Sequence, residues 1–180
     1  RFTIVTSVPY DRSRTTMAGF PLCAACRREY EDPGDRRFHA EPIACPACGP
    51  QLTMPLEEAA GLLCAGRIVA VKGLGGYHLA CDATDEEAVA RLRARKLREE
   101  KPLAVLTTAP HDLAELTAAE DALLHGLARP IVLVQGRADA PVAPSVAAGS
   151  PWLGLMLPYT PLHHLLCHEV GRPLVLTSGN

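Results

Sequence analysis

The chain has 180 residues, of which 48% are hydrophobic and 4% aromatic, and its formal net charge is −2. This composition excludes a disordered tail and allows one domain plus a small module, with a core built from aliphatic residues. The low net charge disfavours a general nucleic-acid binder but leaves a local anion site open. No apolar run of about 18 residues occurs, so neither a membrane span nor a membrane partner is predicted.

Residues 1–22 begin with a β-prone stretch and continue as a polar loop. Their first four residues repeat the pattern of residues 51–54, which follow a cysteine pair. We therefore expect residues 1–22 to follow a missing first zinc knuckle in a longer chain.

A zinc module is predicted at residues 23–50, where two CxxC pairs are separated by eighteen residues. Paired CxxC motifs at this spacing are typical of zinc ribbons in reducing compartments, so a cytoplasmic protein is expected. Four thiolates complete a tetrahedral shell, which predicts a structural Zn²⁺ rather than a catalytic one. His39 lies between the pairs and offers an alternative ligand or a packing residue. The predicted ligands are Cys23, Cys26, Cys45 and Cys48.

The remainder, residues 51–180, alternates predicted helices and strands. Strands are predicted at 67–71, 79–83, 103–106, 131–134, 152–157 and 174–177, and helices at 55–65, 118–127 and 160–170, with others from Thr84 and Pro110. Residues 72–78 form a glycine-rich turn and 136–150 a long loop. Such alternation indicates an α/β sheet with flanking helices.

Three helix starts carry recognisable capping residues. Thr84 with Glu87 and Thr117 with Glu120 each match a capping box. Thr160 followed by a proline matches an N-cap with proline in the first turn.

A basic segment, residues 91–101, joins one helix to the next strand. It holds six cationic residues against Glu99 and Glu100, a local surplus of four positive charges. A nucleotide phosphate is a natural partner for this surplus, although a solvated helix end with cations near the negative pole of the dipole explains it too. Lys96 and Arg98 cannot share a helix face, so Arg98 is expected beyond the helix.

Polar residues also follow two other predicted strands. Glycines 73, 75 and 76 allow a backbone to approach a ligand closely, although a tight structural turn explains them equally well. Ser178 and Asn180 follow the last strand. Open α/β sheets bind ligands at strand ends, so these segments are candidates for one site.

Several motifs resemble the YrdC family. They are Lys96-Leu97-Arg98 with Lys101-Pro102-Leu103, Thr177-Ser178-Gly179-Asn180, and Tyr77 with Cys81-Asp82-Ala83. The resemblance implies a twisted α/β sheet that holds ATP and an adenylated carbamoyl-type product, with Mg²⁺ on the ATP. It implies catalytic roles for Lys96 and Arg98, and a binding site completed by Lys72, Gly75, Gly76, Tyr77, Ser178 and Asn180.

The stretches VKGLGGYHLACDA and GLMLPYTPLHHLL, with the four-cysteine module, resemble a narrower family, the NiFe-hydrogenase maturation carbamoyltransferases called HypF. That resemblance implies that carbamate derived from carbamoyl phosphate attacks ATP to give carbamoyl-adenylate. A separate domain would pass the carbamoyl group to the C-terminal cysteine of a partner protein, HypE. Residues 51–180 would then be a C-terminally incomplete YrdC-like adenylating domain, insufficient for transfer by itself.

Other functions remain open at this point. One keeps the fold and changes the acceptor, as in an antibiotic O-carbamoyltransferase or a threonylcarbamoyl-AMP synthase. The threonine-rich segment that precedes the Tyr77 motif in the YrdC family is replaced here by residues 72–76, which argues against a threonine substrate. Another is a zinc-ribbon module that binds double-stranded RNA, which low charge and few aromatics disfavour. His163, His164 and His168 share a predicted helix and suit packing, a pocket contact or a metal.

Overall fold

The computed structural model describes residues 3–97 and 101–179. The chain divides into two compact units, Arg1–Thr53 and Met54–Asn180. Within the described residues, no helix is long and apolar enough to cross a membrane.

The first unit contains two 3-10 turns, Arg12–Arg14 and Thr16–Gly19, and the helix α1, Ala24–Glu31. The buried guanidinium of Arg12 donates hydrogen bonds to the backbone carbonyls of Glu41 (2.8 Å) and Ile43 (2.6 Å). Because buried carbonyls need such partners, this one side chain joins the segment before the cysteines to the segment between them.

The second unit is a six-stranded mixed sheet with helices on both faces. Its strands are β1 Val69–Lys72, β2 Tyr77–Asp82, β3 Ala104–Leu106, β4 Val132–Gln135, β5 Trp152–Met156 and β6 Leu174–Ser178. The helices are α2 Leu56–Cys64, α3 Glu86–Lys96, α4 Ala118–His125, α5 Pro144–Ala147 and α6 Pro161–Val170. In the described residues, the order of the strands in the sheet is β1-β2-β6-β3-β5-β4, and β3 and β5 form the one parallel pair. The predicted α/β sheet with flanking helices is thus confirmed.

Side chains alternate between two cores, one on each face of the sheet. On one face Val105, Leu155 and Val175 pack with residues of α3, α4 and α5. On the other face Leu106 and Leu174 pack with α2 and α6. On this second face, α2 and α6 do not cover the part of the sheet toward β4, which instead borders a cavity.

Four local predictions need correction. Strand β2 begins at Tyr77, two residues before the predicted start, because it pairs with the full lengths of β1 and β6. Helix α3 is capped by Asp85, whose side chain accepts from the Ala88 amide, so the Thr84 capping box is wrong. Thr84 instead donates to the buried Asp82 carboxylate.

The other two corrections concern short helices. The expected helix at Pro110 is a single 3-10 turn, Pro110–Asp112. The loop 136–150 contains the four-residue helix α5. Both helices begin at a proline, whose fixed φ angle suits a first helical turn.

Candidate functional site

The four cysteines of the first unit converge on one point. Their sulfur atoms all lie within 4.8 Å of one another, with Sγ–Sγ distances of 3.6 Å for Cys23–Cys45 and 3.7 Å for Cys45–Cys48. Four thiolates around Zn²⁺ at about 2.3 Å would be separated by about 3.8 Å in tetrahedral geometry. Among the described residues, no other group of three or more potential ligands lies this close together, so His164 and His168 have no third ligand.

The electrostatics of the cluster also suit a divalent cation. Backbone amides of Cys23 and Cys45 lower the pKa of the Cys48 thiol to about 6. Burial and the neighbouring cysteines raise the pKa of the Cys26 thiol to about 12. A full set of four thiolates therefore needs a compensating positive charge, which the residues present are arranged to receive.

In the second unit, the uncovered part of the sheet forms the floor of a cavity of about 890 Å³. Gly154 contributes no side chain to this floor, and a Cβ atom added there would lie 3.2 Å from Cγ2 of Ile131. Leu127, Ile131, Leu133 and Met156 make much of the lining apolar. A flat apolar group several rings wide could lie on this surface.

A second, smaller cavity of about 550 Å³ lies beside the β1–β2 hairpin. Its lining residues are Gly75, Gly76, Tyr77, His78, Tyr159, Ser178 and Gly179. Three of these residues, His78, Tyr159 and Ser178, also line the larger cavity. The two cavities therefore share one boundary, at the end of β6.

The β1–β2 hairpin contributes several of the predicted binding residues. The Lys72 ammonium lies 5.2 Å from the centre of the Tyr77 ring, and both side chains are exposed. The Gly73 amide donates to the Gly76 carbonyl at 2.8 Å, and the Gly179 amide donates to the Tyr77 carbonyl at 2.7 Å. The hairpin loop is thereby fixed next to the end of β6.

Lys96 lies at the same end of the sheet. Its Nζ donates to the backbone carbonyl of Ser178 at 2.5 Å, although 82 residues separate them. Helix α3 ends at Lys96, and Leu97 adopts a left-handed conformation with φ of 49°. The predicted Arg98 and Asn180 lie outside the described residues.

Part of the basic surplus before Lys96 is structural. Arg91 donates to the Gly66 carbonyl, and Arg93 donates to the Val146 carbonyl at 3.0 Å. These two guanidinium groups bind helix α3 to neighbouring loops. Lys96, by contrast, contacts Ser178 at the boundary of the two cavities.

Sequence patterns do not predict most of an aromatic cluster at this boundary, formed by His78, Tyr159 and His163. The Tyr159 hydroxyl lies 3.5 Å from Nε2 of His78, and the Tyr159 and His163 rings meet edge to face at 4.5 Å. Burial lowers the pKa of His163 to about 4 and raises the pKa of Tyr159. The sequence predicts His78 in a turn, whereas in the structure His78 lies in strand β2, opposite Ser178 of β6.

Comparisons with known proteins identify relatives of both units. Residues 61–180 match the Sua5/YciO/YrdC family, whose description is telomere recombination, and residues 22–54 match the HypF finger. The carbamoyltransferase HypF of Rhodobacter capsulatus is 54% identical over all of this chain, which covers 26% of that protein.

Solved structures give the same result. A crystal structure of full-length HypF in a phosphate- and nucleotide-bound form is 44% identical, with a TM-score of 0.86 over 98% of this chain and 25% of that one. HypF of T. kodakarensis is 42% identical, with a TM-score of 0.87 over all of this chain and 26% of that one. The chain thus spans about a quarter of the length of these relatives. Through residues 61–180 the chain belongs to the Sua5/YciO/YrdC family, and with its HypF finger it is similar over its whole length to HypF carbamoyltransferases.

Proposed function

We propose that the second unit binds ATP and forms carbamoyl-adenylate during carbamoyl transfer in hydrogenase maturation. The observation that carries this proposal is the contact between Lys96 and Ser178 at the boundary of two cavities. A cation that contacts a residue lining both cavities suits a ligand with a flat base and a polyphosphate. That a related HypF crystallises in a nucleotide-bound form supports the assignment.

In the proposed reaction, an oxygen of carbamate attacks the α-phosphorus of ATP. The bond from the α-phosphorus to the bridging oxygen breaks, and pyrophosphate leaves with that bond's electron pair. Carbamate itself arises by hydrolysis of carbamoyl phosphate: water supplies the new oxygen on the carbamoyl carbon, and phosphate leaves. The reaction builds charge on phosphate oxygens, so the protein's task is to position the reactants and neutralise that charge.

The chain's own residues divide this task. Lys96 supplies a compact positive charge, and Arg98 is proposed to make bidentate contacts with phosphate oxygens. Ser178 and Asn180 are proposed to hydrogen-bond the phosphate or the carbamoyl group. Mg²⁺ is expected to arrive with ATP, and the loop from Lys72 to Tyr77, with Gly75 and Gly76, would close over the ligand.

We assign Zn²⁺ to the four cysteines as a structural ion. The match to the HypF finger and the sulfur geometry support this assignment. None of the seven cysteines, all of which lie in the described residues, forms a disulfide; this suits a reducing compartment, and we propose the cytoplasm. The proposed acceptor of the carbamoyl group is the C-terminal cysteine of HypE, reached through parts of the protein beyond these residues.

An exchange assay tests the proposal. Full-length protein should incorporate labelled pyrophosphate into ATP only when carbamoyl phosphate is present, because the adenylate forms reversibly from carbamate. Addition of double-stranded RNA should change nothing. Exchange that ignores carbamoyl phosphate, requires threonine or requires RNA would contradict the proposal.

A further inference from the structure

The Tyr159 hydroxyl occupies a distinctive place in the second unit. Tyr159 lies just before helix α6 and lines both cavities, as do His78 and Ser178. Any ligand that extends from the apolar cavity into the small one must pass these three side chains. The bond that joins the two parts of such a ligand would therefore lie near them.

Contacts of the neighbouring backbone and of two imidazole rings hold Tyr159 in place. The next residue, Thr160, is buried and caps α6 by accepting from the His163 amide at 3.0 Å. The His163 ring packs edge to face against the Tyr159 ring, and His78 Nε2 lies 3.5 Å from its hydroxyl. A phenol held at this many points has little rotamer freedom to lose when it binds a ligand.

The hairpin loop makes room for this arrangement. A Cβ atom added to Gly73 would lie 2.5 Å from Cε1 of the His78 ring and 3.2 Å from the Tyr159 hydroxyl. An alanine at position 73 would therefore force the His78 ring away from its place. The absence of a side chain at Gly73 is a condition for the His78–Tyr159 contact.

The cluster is built to be polar but uncharged. His163 is fully buried, and among the described residues neither of its ring nitrogens has a hydrogen-bond partner. Burial lowers the pKa of both His78 and His163 and raises that of Tyr159, so the imidazoles stay neutral and the phenol stays protonated near neutral pH. With the His78 proton on Nε2, the Tyr159 hydroxyl accepts from His78, and its own proton is available to donate at the edge of the small cavity.

The small cavity, like the cluster beside it, has few charged groups. Three of its lining residues are glycines, and among its described lining residues there is no lysine or arginine. Such a pocket suits a small planar group with one negative charge or none, held by hydrogen bonds. A triphosphate, by contrast, would need several cations.

We propose that Tyr159 is the residue that binds the small acyl group, donating a hydrogen bond to an oxygen of carbamate. This inference rests on the proposed adenylation and names its specificity determinant. The small cavity takes the carbamate and the apolar cavity takes the nucleoside. Tyr159 then selects the acyl partner and contributes little to ATP affinity.

The test is the Tyr159→Phe variant of the full-length protein, in the exchange assay that depends on carbamoyl phosphate. The KM for carbamoyl phosphate should rise about tenfold or more, the scale of one hydrogen bond to a charged group, while the KM for ATP stays within about twofold. Tyr10→Phe, at an exposed tyrosine of the first unit, is the matched control and should leave both constants unchanged.

Gly73→Ala provides a second variant, since it displaces His78 without removing the phenol. It should give the same selective rise in the KM for carbamoyl phosphate. A Tyr159→Phe protein with both constants within about twofold of wild type, or with an equal rise in both, would overturn the inference while leaving the adenylation intact. Wild-type protein without exchange would refute the adenylation itself, and this inference with it.

Discussion

His163 shows how a single buried side chain couples stability to pH. Its ring is fully buried against Tyr159 and near His78, which lowers its pKa to about 4. In the unfolded chain an imidazole titrates near 6.5. The unfolded state therefore takes up a proton first as the pH falls, so the second unit loses stability between about pH 6.5 and pH 4.

Replacement of His163 by leucine should remove this dependence. Between pH 7 and pH 5, the wild-type protein should lose on the order of 1 to 2 kcal/mol more unfolding free energy than His163→Leu, by linkage. Urea unfolding of the second unit at both pH values measures the difference, since all other titrating groups are common to both proteins. Equal losses in the two proteins would show that the imidazole is not held neutral by burial.

Some site residues can be predicted from short patterns and others cannot. Lys96 and Ser178 can be predicted as candidates because each lies at the end of a predicted element within a recognisable motif. His78 and Tyr159 also lie within stretches that resemble HypF, but their contact with each other cannot be predicted from those stretches, because it depends on the register of β2 against β6 and on the start of α6. Strand pairing between distant segments is not encoded in local patterns.

At the scale of single elements, capping residues predicted helix starts well where one candidate dominated. Thr117 and Glu120 form the expected capping box of α4, and Thr160 caps α6 as expected. The start of α3 differed because Asp85 competes with Thr84 for the cap. Thr84 was already engaged by Asp82, whose carboxylate also accepts from Arg172 at 2.9 Å.

Helix α6 offers a matched pair of core and surface residues. Leu166 is 2% exposed and packs in the core shared with α2, whereas the adjacent Leu165 is 54% exposed. Leu166→Ala should lower the unfolding free energy of the second unit by about 2–5 kcal/mol, through lost burial and the cavity left behind.

Leu165→Ala is the control for this prediction and should change stability by no more than about 0.5 kcal/mol. Both values come from urea titration followed by circular dichroism. Similar destabilisation by the two variants would mean that α6 packs through a different face.

At the scale of the whole molecule, the fold class followed from the alternation of helices and strands, but the strand order did not. Strand β6, the last in sequence, lies between β2 and β3 at the centre of the sheet. This insertion places Ser178 opposite His78 and within reach of Lys96. Only long-range pairing could reveal it, since a mixed sheet admits several orders with the same elements.

The two units should respond differently to metal removal. Protein purified under reducing conditions should hold one zinc per chain, and a strong chelator should unfold Arg1–Thr53, because metal binding there supplies folding free energy. The second unit should keep its structure. Metal analysis and hydrogen exchange resolved by unit provide the measurements.

Cysteine variants give this prediction a matched control. Cys26→Ser should lose the zinc, whereas Cys64→Ser, at an exposed cysteine outside the cluster, should keep it. A zinc-free protein with a folded first unit would contradict the structural role of the metal.

The central claim is that Lys96 lies at the nucleotide's phosphates, and pyrophosphate exchange in full-length protein tests it most directly. Lys96→Ala should lower carbamoyl-phosphate-dependent exchange by about a hundredfold or more, the scale of one lost charge contact in the transition state. Arg95→Ala, at an exposed neighbour on the same helix, should stay within a few-fold of wild type, and zinc content should not change in either variant. Exchange by Lys96→Ala within a few-fold of wild type would mean that the nucleotide binds elsewhere.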